Sequence, residues 1–247
     1  MILVVLLKEL IAVALAALGG FLAIVFSPFD ARHDGFHWIT RTYSKTVLTL
    51  FGIRVEASGG EHLRAGRPYV YVANHASLFD IPAAISGIPD RVHIVYKKEL
   101  ERIPFFGWGL RFGRTYIAIN RGRGAEAAKS LEVAIQKIRN GASVLLFAEG
   151  TRTKDGKLQP FKRGAFNLAV RAGVPVVPVT INGSYRILPR QTFRVNPGAI
   201  SLVIDKPIEI QPMRSDEPGH NGESGKDMEI KLMEEVHSIL EKHYVEQ

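Results

Sequence analysis

The sequence contains no cysteine. This absence excludes disulfide bonds, thiolate nucleophiles, and zinc or iron–sulfur centres held by cysteine. A chain without cysteine fits a reducing compartment, although it does not require one. Internal repeats and low-complexity tracts are missing as well. No spacing of residues typical of a metal site occurs, so we expect no bound metal.

Acidic residues are fewer than basic ones, with 24 Asp and Glu against 32 Lys and Arg, and the net charge is +8. This balance favours anionic partners, namely nucleic acid, acidic lipid surfaces or phosphorylated substrates. Recognised nucleic-acid motifs are missing, so we expect no nucleic-acid partner. The 247 residues are 46% apolar, which is ordinary for a globular protein and excludes a disordered chain or one with many membrane spans.

A long uncharged apolar run occurs near the N-terminus, from Leu10 to Phe26. It is at the short end of the about 20 residues that span a bilayer as a helix. A cleaved signal peptide is disfavoured because its apolar core should follow a basic start rather than precede Lys8. A soluble core helix that is apolar on all sides has little to pack against at a chain end. We therefore predict a membrane anchor, which either spans the bilayer or dips into it.

The segment after this run carries several basic residues and a second helix pattern. Ser27-Pro28 ends the first helix, and apolar residues recur at helical spacing from Phe36 to Phe51. We expect this second helix to pack on the core, with the lipid interface as the alternative. By the positive-inside rule, the flanking charges place the rest of the chain at the cytoplasmic face of the inner membrane: Arg32, Arg41, Lys45 and Arg54.

Short apolar strands alternate with helices along the remaining chain. This alternation predicts an α/β fold with a largely parallel central sheet that is covered by helices on both faces, and with an N-terminal hydrophobic helical segment. The expected strands are residues 53–57, 69–72, 92–96, 115–119, 143–147, 176–181 and 200–204. The longer helices are expected at residues 36–51, 124–140, 164–171 and 227–244.

A first group of polar residues follows the strand Tyr69–Val72. The strand runs into Asn74 and His75, and ligands of α/β proteins bind where strands end. Ser77 offers a helix N-cap, which places Asp80 in or near the first turn, close enough to fold back onto His75. A carboxylate on one ring nitrogen fixes the imidazole tautomer and makes the other nitrogen a better base. A histidine–acid pair of purely structural use gives the same pattern.

A second group follows the strand Ser143–Phe147 in the same layout. Arg152 offers a planar donor fork suited to phosphate, and Gly150 lets the backbone turn tightly or approach a ligand. Glu149 can bond a hydroxyl or an arginine. By itself, the stretch from Glu149 through Thr151 to Arg152 also fits a surface turn with a solvated charge cluster.

Further cationic residues fall between the two groups. Lys97 and Arg121 lie at or just past predicted strand ends, so they can reach the same edge as His75 and Arg152. Between them, residues 104–109 form an apolar, glycine-containing stretch that fits an acyl pocket, a lipid contact or simple core packing.

Taken together, these motifs resemble those of the bacterial 1-acyl-sn-glycerol-3-phosphate acyltransferases of the glycerolipid acyltransferase superfamily. The family's Asn-His-x4-Asp motif is matched by Asn74, His75 and Asp80, and its Phe-Pro-Glu-Gly-Thr-Arg-Ser motif by residues 147–153. Its Asp-Arg strand corresponds to residues 116–121 and its strand around a proline to residues 174–179. Its lysine before Glu-Leu is matched at Lys97, and its Phe-Lys-x-Gly at residues 161–164.

The chain departs from the family pattern at three positions. Ala148 replaces a proline and Thr153 replaces a serine, and both changes are tolerable. Asn120 replaces the aspartate that usually precedes the arginine matched by Arg121. If that aspartate orients the arginine, the acceptor of this chain can differ from the family's usual one.

The resemblance implies membrane-associating helices in residues 1–52 and an acyltransferase domain in residues 53–247. It implies transfer of a fatty acyl group from acyl-CoA or acyl-carrier protein to the sn-2 hydroxyl of 1-acyl-glycerol-3-phosphate, giving phosphatidic acid, without a cofactor. The implied partners are the lysophospholipid, the acyl thioester and the membrane surface. His75 would be the general base and Asp80 its partner. The substrate-binding residues would be Asn74, Lys97, Arg121, Glu149, Gly150, Thr151 and Arg152.

Three alternatives remain open from the sequence. The first is an acyltransferase of the same superfamily with another lyso-lipid acceptor. The second is an enzyme that uses Ser77 as nucleophile, although this serine lacks a glycine-flanked elbow. The third is a basic, non-catalytic protein that binds membrane surfaces.

Overall fold

The central sheet of the computed structural model consists of seven strands among the described residues, which are 2–30, 34–113, 116–119, 125–210 and 225–246. The strands are β1 (Ile53–Ser58), β2 (Val70–Ala73), β3 (Val92–Lys97), β4 (Ile117–Ile119), β5 (Ser143–Phe147), β6 (Val176–Asn182) and β7 (Gly198–Ile204). Their order across the sheet is β1-β7-β6-β2-β5-β3-β4. All neighbours are parallel except β6 and β7, which are antiparallel.

Helices flank the sheet, with short 3-10 segments at Ser27–Phe29, Gly60–His62 and Lys98–Arg102. They are α1 (Ile2–Phe26), α2 (Asp34–Leu50), α3 (Asp80–Gly87), α4 (Phe106–Gly113), α5 (Ala125–Arg139), α6 (Gly164–Ala172), α7 (Ser184–Ile187) and α8 (Gly225–His243). The α/β fold with a largely parallel sheet, which the alternation of elements predicts, is therefore confirmed.

Alternate residues of β2 divide the core into two layers, because successive strand side chains point to opposite faces of the sheet. Tyr71 packs in the layer that contains Val47 of α2 and Ala84 of α3. Val72 packs in the layer formed by α5, α6 and α8, with Ile135 at its centre. Both faces of β2 are fully buried, as is typical of strands in parallel sheets.

Helix α2 packs on this core through Phe36, Val47 and Leu48, which are all buried. This face of α2 therefore packs on the core, as we expected for the second helix. Arg41 of the basic flank donates hydrogen bonds to the carbonyl oxygens of Ser86 and Ile88, at the C-terminal end of α3. A cation at that position is favoured by the partial negative charge of a helix C-terminus.

Helix α1 is the candidate membrane anchor, because it is long and apolar enough to cross a bilayer and only 11% of its most apolar window is buried. It is attached to the rest of the fold through α4 and α2. A Cβ atom at Gly20 would collide with the carbonyl of Phe105, so only glycine permits this close approach. Ser27 Oγ donates a hydrogen bond of 2.7 Å to the Phe112 carbonyl.

Helix α3 begins later than its sequence indicates. The helix starts at Asp80, as expected for a residue of the first turn, and the Phe79 amide just before it donates to Ser77 Oγ at 3.3 Å. Ser77 Oγ also donates to the Leu188 carbonyl at 3.1 Å. The amides of Ala76 and Ser77, which precede the helix, donate to the side chain of Asp80.

Candidate active site

The register of the sheet brings both predicted groups to the same edge. Tyr71 of β2 lies opposite Leu145 of β5, and the two strands are parallel. His75 and Glu149 each follow four residues later, so they are level with each other on adjacent strands. The carboxyl ends of β2 and β5 therefore form the floor of the candidate site.

His75 and Asp80 form a hydrogen-bonded pair at this edge, with 2.8 Å between Nδ1 of the imidazole and Oδ2 of the carboxylate. The same Oδ2 accepts hydrogen bonds from the amides of Ala76 at 2.7 Å and Ser77 at 2.8 Å. Because this oxygen is an acceptor for two amides, we assign the proton between the side chains to Nδ1. This tautomer leaves the lone pair of the imidazole on Nε2, which is the atom a base needs.

The surroundings of the pair restrict its motion. Asp80 is fully buried, and the side chain of His75 is 15% exposed. The ring of Phe147 stacks on the imidazole, with 3.9 Å between the ring centroids and 16° between the planes. Asp80 thus fixes the imidazole at its edge and Phe147 fixes it at its face.

Asn74 lies beneath the site, where it joins β2 to β6. Its Nδ2 donates to the Ile181 carbonyl at 2.9 Å, and its Oδ1 accepts from the Ile181 amide at 2.7 Å. The residue is 1% exposed. Both polar atoms are therefore engaged by the main chain of β6, which holds the residue before His75 in place.

Glu149 connects the second group to the first. Its Oε1 accepts a hydrogen bond of 2.7 Å from the amide of His75, and the Thr153 amide donates to the His75 carbonyl at 2.9 Å. Glu149 Oε2 is buried and makes no hydrogen bond of ordinary geometry within the described residues, although the Gln159 backbone also lies close to the carboxylate. Burial raises the pKa of Glu149 to about 7, although the His75 amide opposes this shift. The carboxyl group is therefore partly protonated near neutral pH.

The turn after Glu149 depends on Gly150, which has a φ of +72° and donates to the Phe147 carbonyl at 3.0 Å. A Cβ atom at this position would lie 3.1 Å from Nζ of Lys162, so the ammonium group of Lys162 sits directly beside the turn. Thr151 is exposed to solvent at the tip. The turn is thus open to a ligand on one side and positively charged on the other.

Arg152 is half-buried next to a second guanidinium group. Burial lowers its pKa, the positive charge of Arg190 lowers it further, and the Asp80 carboxylate opposes the shift. Arg190 also donates to the Arg152 carbonyl at 3.2 Å. Two guanidinium groups near the buried pair create a site for an anion with several oxygen atoms.

The remaining predicted residues differ in how closely the structure places them. Lys97 ends β3 and is exposed. Because Ile94 lies opposite Leu145, Lys97 is level with Asn74 along the sheet, two strands away from β2. Arg121 lies outside the described residues. No group of three or more His, Cys, Asp or Glu side chains within the described residues is arranged to hold a metal ion.

Sequence reasoning missed two side chains at the site. Phe147 is only a motif position in the sequence, and its place next to His75 follows from the pairing of β2 with β5. Arg190 follows α7 in a stretch with no motif, so no local pattern indicates it. Ser77, the alternative nucleophile, is fully buried and its Oγ is engaged by Leu188.

Comparisons with known proteins cover most of the chain. A family model described as Acyltransferase matches residues 54–182, which include both groups of site residues. The chain is 30% identical over 233 residues to a 1-acyl-sn-glycerol-3-phosphate acyltransferase of Saccharomyces cerevisiae, covering 92% of this chain and 76% of the relative. It is 31% identical to the Arabidopsis thaliana chloroplastic enzyme LPAT1, of which it spans about half, covering 79% of this chain and 54% of the relative.

A solved structure shares the whole architecture. The crystal structure of the 1-acyl-sn-glycerophosphate (LPA) acyltransferase PlsC from Thermotoga maritima superposes with a TM-score of 0.78 at 26% identity, covering 98% of this chain and 95% of that one. Fold, motif-bearing segment and sequence similarity agree, and the chain therefore belongs to the acyltransferase family.

Proposed function

We propose that this acyltransferase transfers a fatty acyl group from a thioester to the sn-2 hydroxyl of 1-acyl-glycerol-3-phosphate, giving phosphatidic acid. The observation that carries the proposal is the His75–Asp80 pair beside the cationic side chains of Arg152 and Arg190. A base next to an anion site suits an alcohol that carries a phosphate. The names of the yeast and Thermotoga relatives support the same substrate.

In the proposed reaction, Nε2 of His75 takes the proton of the acceptor hydroxyl. The oxygen attacks the thioester carbonyl, a C–O bond forms, the C–S bond breaks, and the imidazolium returns the proton to the leaving sulfur. Asp80 keeps Nδ1 protonated and stabilises the imidazolium. Such general base catalysis contributes roughly 10²- to 10⁴-fold to the rate.

The acceptor's phosphate would be held by Arg152 together with Arg190 and Lys162. Lys97 and Arg121 remain proposed helpers at the rim of this anion site. Glu149 uses Oε1 for the His75 amide, which leaves Oε2 for the glycerol part of the acceptor. Charge-assisted hydrogen bonds of a guanidinium fork to phosphate are among the stronger polar contacts, so Arg152 would contribute most.

Membrane attachment through α1 fits a lipid acceptor that already resides in the bilayer. We propose that residues 1–52 form the membrane-associating part, at the cytoplasmic face of the inner membrane, and residues 53–247 the acyltransferase domain. The exposed apolar side chains of α1 are continued by those beside it: Phe105, Trp108 and Phe112 are 46%, 42% and 47% exposed. Aromatic side chains of this kind are favoured at membrane interfaces.

A thiol-release assay tests the reaction and the acceptor together. Two donors are compared, long-chain acyl-CoA and the same acyl group carried by acyl-carrier protein. Each donor is offered with lysophosphatidic acid, lysophosphatidylcholine, lysophosphatidylglycerol or a monoacylglycerol as acceptor. We expect the fastest release with lysophosphatidic acid and phosphatidic acid as the product. Equal rates with monoacylglycerol would reject the phosphate site, and faster release with another lysophospholipid would assign a different acceptor. Release that does not depend on any acceptor would reject acyl transfer in favour of hydrolysis.

A further inference from the structure

The loop that carries Arg152 is held by side chains from outside it. The carbonyl oxygens of every second residue in this loop, 152, 154 and 156, each accept a hydrogen bond from a distant segment. The donors and distances are Arg190 Nη1 to Arg152 at 3.2 Å, Tyr185 Oη to Lys154 at 2.9 Å, and Tyr244 Oη to Gly156 at 2.6 Å. We call these three donors the carbonyl clamp.

The loop is fastened on its other side to the catalytic histidine. The amide of Thr153, in the middle of the clamped stretch, donates to the His75 carbonyl at 2.9 Å. Within the loop, Asp155 Oδ1 accepts from Thr153 Oγ1 at 2.9 Å and from the Lys157 amide at 3.2 Å. The loop therefore lies between His75 on one side and the clamp on the other.

Tyr244 is aimed at the loop by the residues on either side of it. The His243 carbonyl accepts from Asn182 Nδ2 at 2.9 Å, and the Val245 amide donates to Asn182 Oδ1 at 3.0 Å. A single asparagine at the end of β6 thus fixes the backbone before and after Tyr244. Burial raises the pKa of the Tyr244 phenol, and the charge of Glu149 raises it further.

The loop has no regular secondary structure between Gly150 and Arg163 that would fix its shape. Its carbonyl groups consequently need partners elsewhere, and a lost partner lets the segment shift. Arg152 belongs to this segment, so a shift of its backbone moves the guanidinium group as well.

We propose that Tyr244 and Tyr185 are positioning residues that set the place of Arg152 in the anion site. The inference depends on the proposed function, in which Arg152 binds the acceptor's phosphate. It assigns the residues just after α8 a role in acceptor binding, although they are far from both motifs in sequence.

The experiment uses Tyr244→Phe, Tyr185→Phe and the double variant, each of which removes only hydroxyl groups. The matched control is Tyr71→Phe, because Tyr71 Oη donates to Asp90 at 2.8 Å and Asp90 precedes β3, at the opposite edge of the sheet. For each protein, the KM for lysophosphatidic acid, the KM for acyl-CoA, kcat and Tm are measured.

We expect the KM for lysophosphatidic acid to rise about 3-fold in each single variant and about 10-fold in the double variant, with the KM for acyl-CoA unchanged. The control should lower Tm without changing either KM. An unchanged acceptor KM in the double variant, with a lower Tm, would reduce the tyrosines to structural supports and overturn the proposal.

The proposed function has its own readout in the same experiment. If the wild-type protein uses a monoacylglycerol as well as lysophosphatidic acid, the phosphate site itself is rejected, whatever the tyrosine variants do. If the wild type requires the phosphate and the double variant binds the acceptor normally, only the positioning inference fails.

Discussion

The loop that carries His75 and the loop that carries Arg152 lie side by side at one edge of the sheet, yet they are stabilised differently. The first closes on itself, since Asp80 binds the imidazole and two amides within six residues. The second depends on donors that are 31, 38 and 88 residues away in sequence. The His75–Asp80 contact is thus local, although Phe147, Glu149 and Thr153 also hold this loop from the neighbouring strand. The proposed anion site depends on more distant parts of the chain.

This difference separates two kinds of function. The His75 loop keeps its geometry as long as β2, α3 and the adjacent end of β5 are in place. A loop clamped from three segments keeps its geometry only when the whole C-terminal half is correctly packed. Substitutions in the first loop should therefore act on kcat, and substitutions around the second should act on the KM for the acceptor.

The largest effect is expected for His75→Ala, which removes the proposed base from the locally closed loop. We expect kcat to fall by roughly 10²- to 10⁴-fold while the fold stays intact. Thiol release and circular dichroism measure the two properties. The control is His93→Ala, which removes an imidazole near the start of β3, at the end of the sheet opposite to His75. This variant should retain turnover. Near-normal turnover in His75→Ala would reject the assignment of the base.

Arg152→Ala tests the second loop. We expect the KM for lysophosphatidic acid to rise by about 10- to 100-fold and the KM for acyl-CoA to change little, because in the proposed site the guanidinium group binds only the acceptor's phosphate. Steady-state kinetics with each substrate varied in turn provide both values. Arg171→Ala is the matched control, since this arginine pairs with Glu132 on the surface, at 2.7 Å. Equal changes in both KM values would argue against a phosphate contact.

Phe147→Leu sharpens the comparison within the first loop, because it removes the stacked ring but keeps the Asp80 contact. We expect kcat to fall by about 3- to 10-fold, since the imidazole gains rotational freedom, and both KM values to remain as they are. Phe36→Leu removes a buried ring that meets Tyr116 edge-on and serves as the control for lost aromatic packing. An equal loss of kcat in the control would assign the effect to stability.

Glu149→Gln should change the pH dependence of stability. The carboxyl pKa is about 7 in the fold, against an ordinary 4.5. Between these values the folded protein binds more protons than the unfolded chain, so stability falls as pH rises. The wild type should lose on the order of 3 kcal/mol relative to Glu149→Gln between about pH 4.5 and 8. Urea denaturation at several pH values measures the difference, and a pH-independent difference would contradict the raised pKa.

Much of the fold follows from local pattern in the sequence. The strand Ser143–Phe147 is observed with both of its predicted ends, because a buried apolar run between a glycine turn and a polar loop has few alternatives. Helix α6 ends at Gly173, whose φ of +69° is the left-handed conformation that a helix stop signal indicates. The contact of His75 with Asp80 could also be expected, since both residues belong to one short segment.

The rest depends on contacts that no local pattern encodes. Neither Arg190 nor Tyr244 belongs to a motif, and only the folding of the C-terminal half brings them onto the loop. The regular helix α3 begins at Asp80 rather than near Ser77, because the Asp80 side chain folds back onto the imidazole and onto the amides of Ala76 and Ser77. The antiparallel pairing of β6 with β7 is likewise not indicated by any local pattern in the two strands.

The stacked and hydrogen-bonded imidazole has a consequence for how the enzyme works through its cycle. If His75 is the proton acceptor, an imidazole fixed at both edge and face cannot swing out toward its substrates, so the lysolipid and the acyl thioester must both reach one stationary point. The position of that point, rather than any movement of the imidazole, is then expected to decide which hydroxyl group reacts.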